Sequence, residues 1–191
     1  MKWAVFFFIP LVVTCNKTAK LQPIDSFNGD SLIDKQVKFL SSELYSLTKF
    51  TLVGDVPDSS KLLHNQIDWA NELRPLRVIS LLNKAAYRND YEISTTPDQT
   101  SNLMIKTWRG KANAPVREIK IYYLNGLDQI KKLEAEVIEE NFIFSSYQSI
   151  QLEFSILDLA PRLERYKISG TQRLLLVGSN NFTLEGTIEL Q

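Results

Sequence analysis

The sequence predicts an α+β fold: a curved antiparallel β-meander of about six strands covered by two N-terminal amphipathic helices. Three observations predict it. Apolar residues recur at helical spacing in the first half, at Ile33, Val37, Leu40, Leu44 and Leu47 and again at Trp69, Leu73, Leu76, Ile79 and Leu82. From Tyr91 onward the period falls to two, and the turns between segments are too short for the crossover that a parallel pair requires. Hydrophobic residues at 44% and charged residues at 23% are values of an ordinary folded domain, and 191 residues suit one such domain.

The first element is a leader. Lys2 precedes an apolar run from Trp3 to Val13, and Cys15 follows Val12, Val13 and Thr14. The run is shorter than the roughly 20 residues that cross a bilayer core, and it has the length of a signal-peptide apolar region. Small or aliphatic residues just ahead of a thiol are what bacterial lipoprotein processing requires. The reading is therefore a lipoprotein signal peptide over residues 1–14, lipid attachment at Cys15, a tether over residues 15–29 and a single domain over residues 30–191. Thr14 is bulkier than the usual residue before the cut, so a plain secretory signal or an uncleaved anchor is the alternative. Asn16 to Phe27 is polar, contains Pro23 and shows no sustained period, as expected of a tether.

Gly29 and Asp30 mark the turn into the first helix, and Ser31 followed by Asp34 resembles an acidic capping box. Lys35, Lys38, Ser41 and Glu43 form its polar face. A membrane-surface helix would carry more Lys and Arg there, so the stripe is read as facing a core. Thr48 to Val53 and Lys61 to Gln66 are expected to form a small hairpin around the turn-rich Gly54 to Ser60. Asp68 is the expected N-cap of the second helix. Pro75 lies inside it and, at a cost of about 3 kcal/mol within a helix, predicts a kink or break near Arg74.

The meander begins with Tyr91 to Thr95, followed after Pro97 to Thr100 by a strand with Leu103, Ile105 and Thr107 on one side. Arg109 to Pro115 reads as a loop, Val116 to Leu124 as a strand and Asn125-Gly126 as a tight turn. Ile130 to Glu139 alternates, although its Glu and Lys content would also suit a helix. Ile150, Leu152, Phe154 and Ile156 alternate most clearly, before an interruption at Pro161. Tyr166 to Val177 is a long strand with a bend or bulge expected at Gly170. After Gly178 to Asn181, the residues Phe182, Leu184, Ile188 and Leu190 complete the apolar face.

Chemistry is narrowed by what the chain lacks. Cys15 and His64 are the only cysteine and histidine, which excludes an intrachain disulfide, a multi-cysteine or multi-histidine metal site and, unless His64 serves, a histidine-dependent triad. Glu134, Glu136 and Glu153 are candidate carboxylates, but alternating polar positions on a half-buried sheet look the same. Gly178-Ser179-Asn180-Asn181 lacks the lysine of a phosphate loop and precedes a strand. The reading is no enzyme, no cofactor and no metal. Lys plus Arg equals Asp plus Glu at 22 each, and loss of Lys2 leaves 21 − 22 = −1, so no nucleic-acid partner is expected.

Two binding roles remain. A scaffold that docks an envelope protein partner by a sheet edge or exposed aromatics is favoured by Trp108 and Tyr122, which the expected register places outward. The alternative is a carrier for an apolar ligand held between sheet and helices. Trp69, Trp108 and Tyr122 are the candidate contacts, within an aromatic supply that includes Tyr123, Phe142, Phe144 and Tyr147.

Two segments also resemble a known group. Asp68-Trp69, Glu72-Leu73, Asn83 to Tyr87 and Tyr91, together with Leu176 to Gly186, resemble short lipoproteins of unknown function common in the Bacteroidota, over most of residues 30–188. The resemblance implies a location and a fold, and carries over no catalytic residue. It implies that Asn16 after Cys15 permits transport to the outer membrane. It also implies that Lys17-Thr18-Ala19-Lys20, lacking an acidic cluster, favours a lipid-anchored position facing the periplasm. Asp30-Ser31-Leu32 resembles the O-glycosylation acceptor of that group.

Overall fold

A computed structural model describes residues 27–191 except 88, 113, 158, 159, 176 and 177. The leader, Cys15 and most of the tether lie outside the described residues. The chain runs through α1 (Gly29–Ser42), β1 (Tyr45–Val53), β2 (Val56–Leu62), a short 3-10 turn (His64–Gln66), α2 (Trp69–Glu72) and a longer 3-10 segment (Arg74–Asn83). After a last 3-10 turn (Ala85–Tyr87) come β3 (Tyr91–Pro97), β4 (Met104–Gly110), β5 (Val116–Tyr123), β6 (Ile130–Glu140), β7 (Phe144–Leu157), β8 (Ala160–Leu174) and β9 (Gly178–Leu190).

The strands form one antiparallel sheet of nine, in the order β2-β1-β9-β8-β7-β6-β5-β4-β3. This corrects the expected six-stranded meander under two amphipathic helices. The N-terminal hairpin is not separate: β1 pairs with β9 along its length, from Tyr45 opposite Leu190 to Val53 opposite Phe182. Its second strand begins at Val56 rather than at the expected Lys61, because β2, an edge strand, is Val-Pro-Asp-Ser-Ser-Lys-Leu, a composition that also spells a turn. Pro57 is tolerated there because an edge strand has a free side where its missing N–H is not needed. The turn itself is Gly54-Asp55, with Gly54 at φ +61°, where glycine meets no steric penalty.

The second helix is likewise not the element expected. Only Trp69–Glu72 is α-helical, capped by Asp68, whose carboxylate accepts from the Asn71 amide at 3.1 Å. With Pro75 unable to donate, the chain continues as the 3-10 segment, which buries Leu76, Ile79 and Leu82. The first helix also ends early. Leu44 is exposed and Leu47 belongs to β1, where it is fully buried. The N-cap of α1 is Asn28 rather than Ser31: the Asn28 Oδ1 accepts from the Ser31 amide at 2.9 Å. At Gly170 no bulge occurs, since it pairs in register with Gln148, and the register shift in this ladder falls between Glu153 and Phe154.

One apolar cluster unites these parts. Leu32, Ile33 and Leu40 of α1 and the 3-10 residues Leu76, Ile79 and Leu82 lie against Leu47, Trp108, Ile119, Ile121, Leu133, Val137, Ile150, Leu152 and Ile188 of one sheet face. Each fully buried Leu or Ile contributes about 1.5–3 kcal/mol, so the helical layer is held chiefly by this contact. Arg77 fixes the two helical segments laterally, reaching Asp34 at 2.6 Å and Asp30 at 3.5 Å.

Candidate functional site: an apolar cleft beneath the first helix

The helical layer fills most of the sheet's inner face but leaves a cleft along one side of α1. Phe27, Leu32 and Phe39 form one wall, Leu127 of the β5–β6 connection and Ile130 at the start of β6 a second, and Ala160 and Pro161 at the start of β8 a third. Its volume is about 410 Å³, within the range of about 300–1,000 Å³ typical of ligand pockets. The Phe27 ring stands 5.7 Å from that of Trp108, which closes the core behind it.

A buried amide sets the width. Gln36 sits on the apolar side of α1 with 2% of its surface exposed. Its Nε2 donates to the Pro161 carbonyl at 3.0 Å and its Oε1 accepts from the Leu163 amide at 2.8 Å. Both ends of the amide are thus satisfied by the first residues of β8, which is held at a fixed distance from the helix. The Arg162 guanidinium lies 4.2 Å from the Phe39 ring centroid, and Asn28, Ser31, Lys35 and Asp128 complete the polar lining. A mainly apolar lining that includes cations suits the chain of an amphiphile.

No family model matches this chain, and no curated protein or solved structure is similar to it. Function must therefore be argued from the geometry.

The expected contact residues do not converge on the cleft. Trp108 is fully buried and faces inward, a correction to the outward register, and its indole N–H and that of Trp69 are buried without a partner among the described residues. Trp69 is 2% exposed and packs in the core. Tyr122 does lie on the outer face, where its hydroxyl donates to Glu134 at 3.0 Å and the Lys132 ammonium stands 5.4 Å from its ring centroid. Burial, followed by the Glu134 carboxylate, pushes the Tyr122 hydroxyl up to about 12.

The carboxylates singled out in the sequence are also on the outer face. Glu134 pairs with Lys132 at 2.6 Å and Glu153 with Arg165 at 3.2 Å. Burial alone would raise Glu134, but Lys132, Tyr122 and Lys120 together outweigh it and hold the carboxyl below its ordinary value. Such ion-paired carboxylates favour the ionised form and are poor proton donors near neutral pH. A second polar cluster lies inside: Glu72 accepts from the Tyr166 hydroxyl and pairs with Lys49 at 2.9 Å, tying α2 to β8 and β1. His64 lies in the 3-10 turn after β2, away from these carboxylates in the chain, with its Nδ1 buried and unpartnered among the described residues. No group of three or more His, Cys, Asp or Glu is placed to hold a metal ion among the described residues.

The cleft residues were missed because most are not distinctive. The one sequence signal was Gln36, a polar side chain three residues after Ile33 and four before Leu40, where the apolar stripe called for a hydrophobic one.

Proposed function

We propose that this chain is a lipid-anchored envelope protein without enzymatic activity, attached through Cys15 to the periplasmic side of an outer membrane, that binds an apolar chain in the cleft beneath α1. The observation that supports it is the cleft itself, lined mainly by apolar side chains and bordered by the Gln36 amide that ties α1 to β8. The partner-docking role has less support than the sequence lent it, because Trp108 is inside the core and Tyr122 is engaged by Glu134 and Lys132. Lys35 and Arg162 in the lining fit an acidic head group, and Asp128 limits how many negative charges can be accommodated.

Site-specific photocrosslinking in cells tests this reading. A benzoylphenylalanine at Leu127, in the cleft wall, is expected to capture an apolar small molecule identified by mass, whereas the same group at Phe50 on the outer face captures none. Equal yields at both sites, or a polypeptide adduct at Leu127, would overturn the carrier role. The anchor has its own test: radiolabelled palmitate is expected to enter the protein and to be lost in Cys15→Ser.

A further inference from the structure

The cleft beneath α1 runs along most of the helix. Asn28, Ser31, Leu32, Lys35, Gln36 and Phe39 all line it, at the spacing of three and four that puts residues on one helical face. From Asn28 to Phe39 is 39 − 28 = 11 residues, or ~17 Å at about 1.5 Å each. The described chain begins at Phe27, which is itself part of the cleft wall. The tether therefore joins the domain inside its own candidate site.

The residues just upstream suit that groove. Leu21, Ile24 and Phe27 recur at a spacing of three. Three residues are too few to define a helix or a strand, but they match the three-residue turn of a polyproline II segment, in which every third side chain lies along one edge. Pro23 holds its own φ near the polyproline value, and Gln22 ahead of it is steered to the same region. From Leu21 to Phe27 is 27 − 21 = 6 residues, or ~19 Å at about 3.1 Å each. The segment and the groove are thus nearly equal in length. Polyproline segments dock in grooves lined by aromatic rings, and Phe27 and Phe39 stand toward the two ends of this one. Charge is complementary as well. In that conformation Asp25 would fall off the apolar edge and within reach of Lys35, which forms no ion pair among the described residues.

We infer that Leu21 to Ile24 folds back along α1 and occupies the cleft when no ligand is there, so that an apolar chain binds by displacing the protein's own tether. The inference rests on the carrier reading proposed above. Ile24 is 27 − 24 = 3 residues from Phe27, a reach of at most ~10 Å at the extended rise. So short a connection gives the segment an effective concentration in roughly the millimolar range, which favours it over a second copy of the chain. The occupant also sets the affinity of the site. A cleft filled by its tether for about nine-tenths of the time binds a ligand about tenfold more weakly than an open one.

The photocrosslinker at Leu127 tests this in the full-length protein, reconstituted into phosphatidylethanolamine–phosphatidylglycerol vesicles. Irradiation without added ligand is expected to give an internal link, which leaves the mass of the chain unchanged and which tryptic mapping places at Leu21–Ile24. Lauric acid, as the probe, is expected to replace that link by an adduct heavier by one lauric acid. In Leu21→Ser/Ile24→Ser the internal link should vanish, and half-saturation by lauric acid should fall about tenfold. No internal link, links confined to Phe27 and beyond, or an adduct curve that the double substitution leaves unmoved would overturn the proposal while the carrier reading stands. A link between two chains that rises with protein concentration would also overturn it, since a second copy would then be the occupant. Failure of the carrier reading reads out separately, as a lauric acid adduct missing from both proteins. Displacement falls with it, whatever the internal link shows.

Discussion

Gly186 lies opposite both Tyr166 of β8 and Lys49 of β1, and the Tyr166 ring rests over it so closely that a Cβ would fall well inside contact distance of the ring carbons. The ring cannot move aside freely, because its hydroxyl is bonded to Glu72 and Glu72 to Lys49. Gly186→Ala is therefore expected to cost about 1–3 kcal/mol in a urea titration, the range for overpacking a filled core. The same cluster sets the response to base. Burial, followed by Glu72, pushes the Tyr166 hydroxyl far above its ordinary value, and Tyr122 is raised to about 12. Below pH 10 both tyrosines are neutral in the folded and unfolded states, and their stabilising effect is fully present. As the pH rises past 10 the unfolded chain releases protons that the folded one keeps, so stability falls toward the folded values. Stability measured from pH 9 to 11.5 should decline, and less steeply in Tyr166→Phe. Trp108 shows how far such detail was legible. Its strand has Ile105 and Thr107 outward and Lys106, 6% exposed, inward beside the indole, so the more apolar-looking register was the wrong one by a single residue.

At the level of elements, legibility followed burial on one side only. β5, β6 and β7 alternate apolar and polar because one face meets the core and the other water, and they stand close to where the alternation put them. The alternation in β6 outweighed a composition that also suits a helix. β2 has no buried face and no alternation, and so it read as a turn. The second helix carried a helical period, but the period does not distinguish an α-helix from a 3-10 segment once Pro75 removes a donor. Besides its apolar contact, α1 is secured to β8 by one buried polar residue, Gln36. Gln36→Ala would leave the Leu163 amide buried without its acceptor and the Pro161 carbonyl without its donor. A loss of about 1–3 kcal/mol is expected for the orphaned amide. Lys35→Ala, one residue away and exposed, should change stability by less than about 0.5 kcal/mol. Because the lost bonds also set the cleft width, Gln36→Ala should lower the crosslinking yield at Leu127 even under conditions where the variant is fully folded by circular dichroism.

Across the whole molecule, the decisive pairing joins the two ends of the described chain. β9 is inserted between β1 and β8, with Leu47 opposite Ile188 on one side and Ile168 opposite Leu184 on the other. No local pattern announces that pairing, since the partners are separated by most of the sequence, and this is why nine strands read as a shorter meander. The same arrangement has a kinetic consequence. Every β3–β8 neighbour can form by a hairpin, but β1 and β2 join the sheet only after the last strand is in place, which is a long-range closure and a slow one. Ending the chain before Gly178 would leave β1–β2 without a sheet and would expose the inner face of β8, including Tyr166 and Ile168, along a bare edge. Such a truncation is expected to yield no cooperative urea transition, in contrast to removal of Leu190 and Gln191, which lie at the exposed end of β9. In the intact chain, stopped-flow refolding followed by tryptophan fluorescence should run in the range of milliseconds to seconds typical of β-rich topologies. A microsecond phase accounting for the full amplitude would mean that the helical layer and the central hairpins make a stable core before β9 arrives, and the closure would then not limit folding.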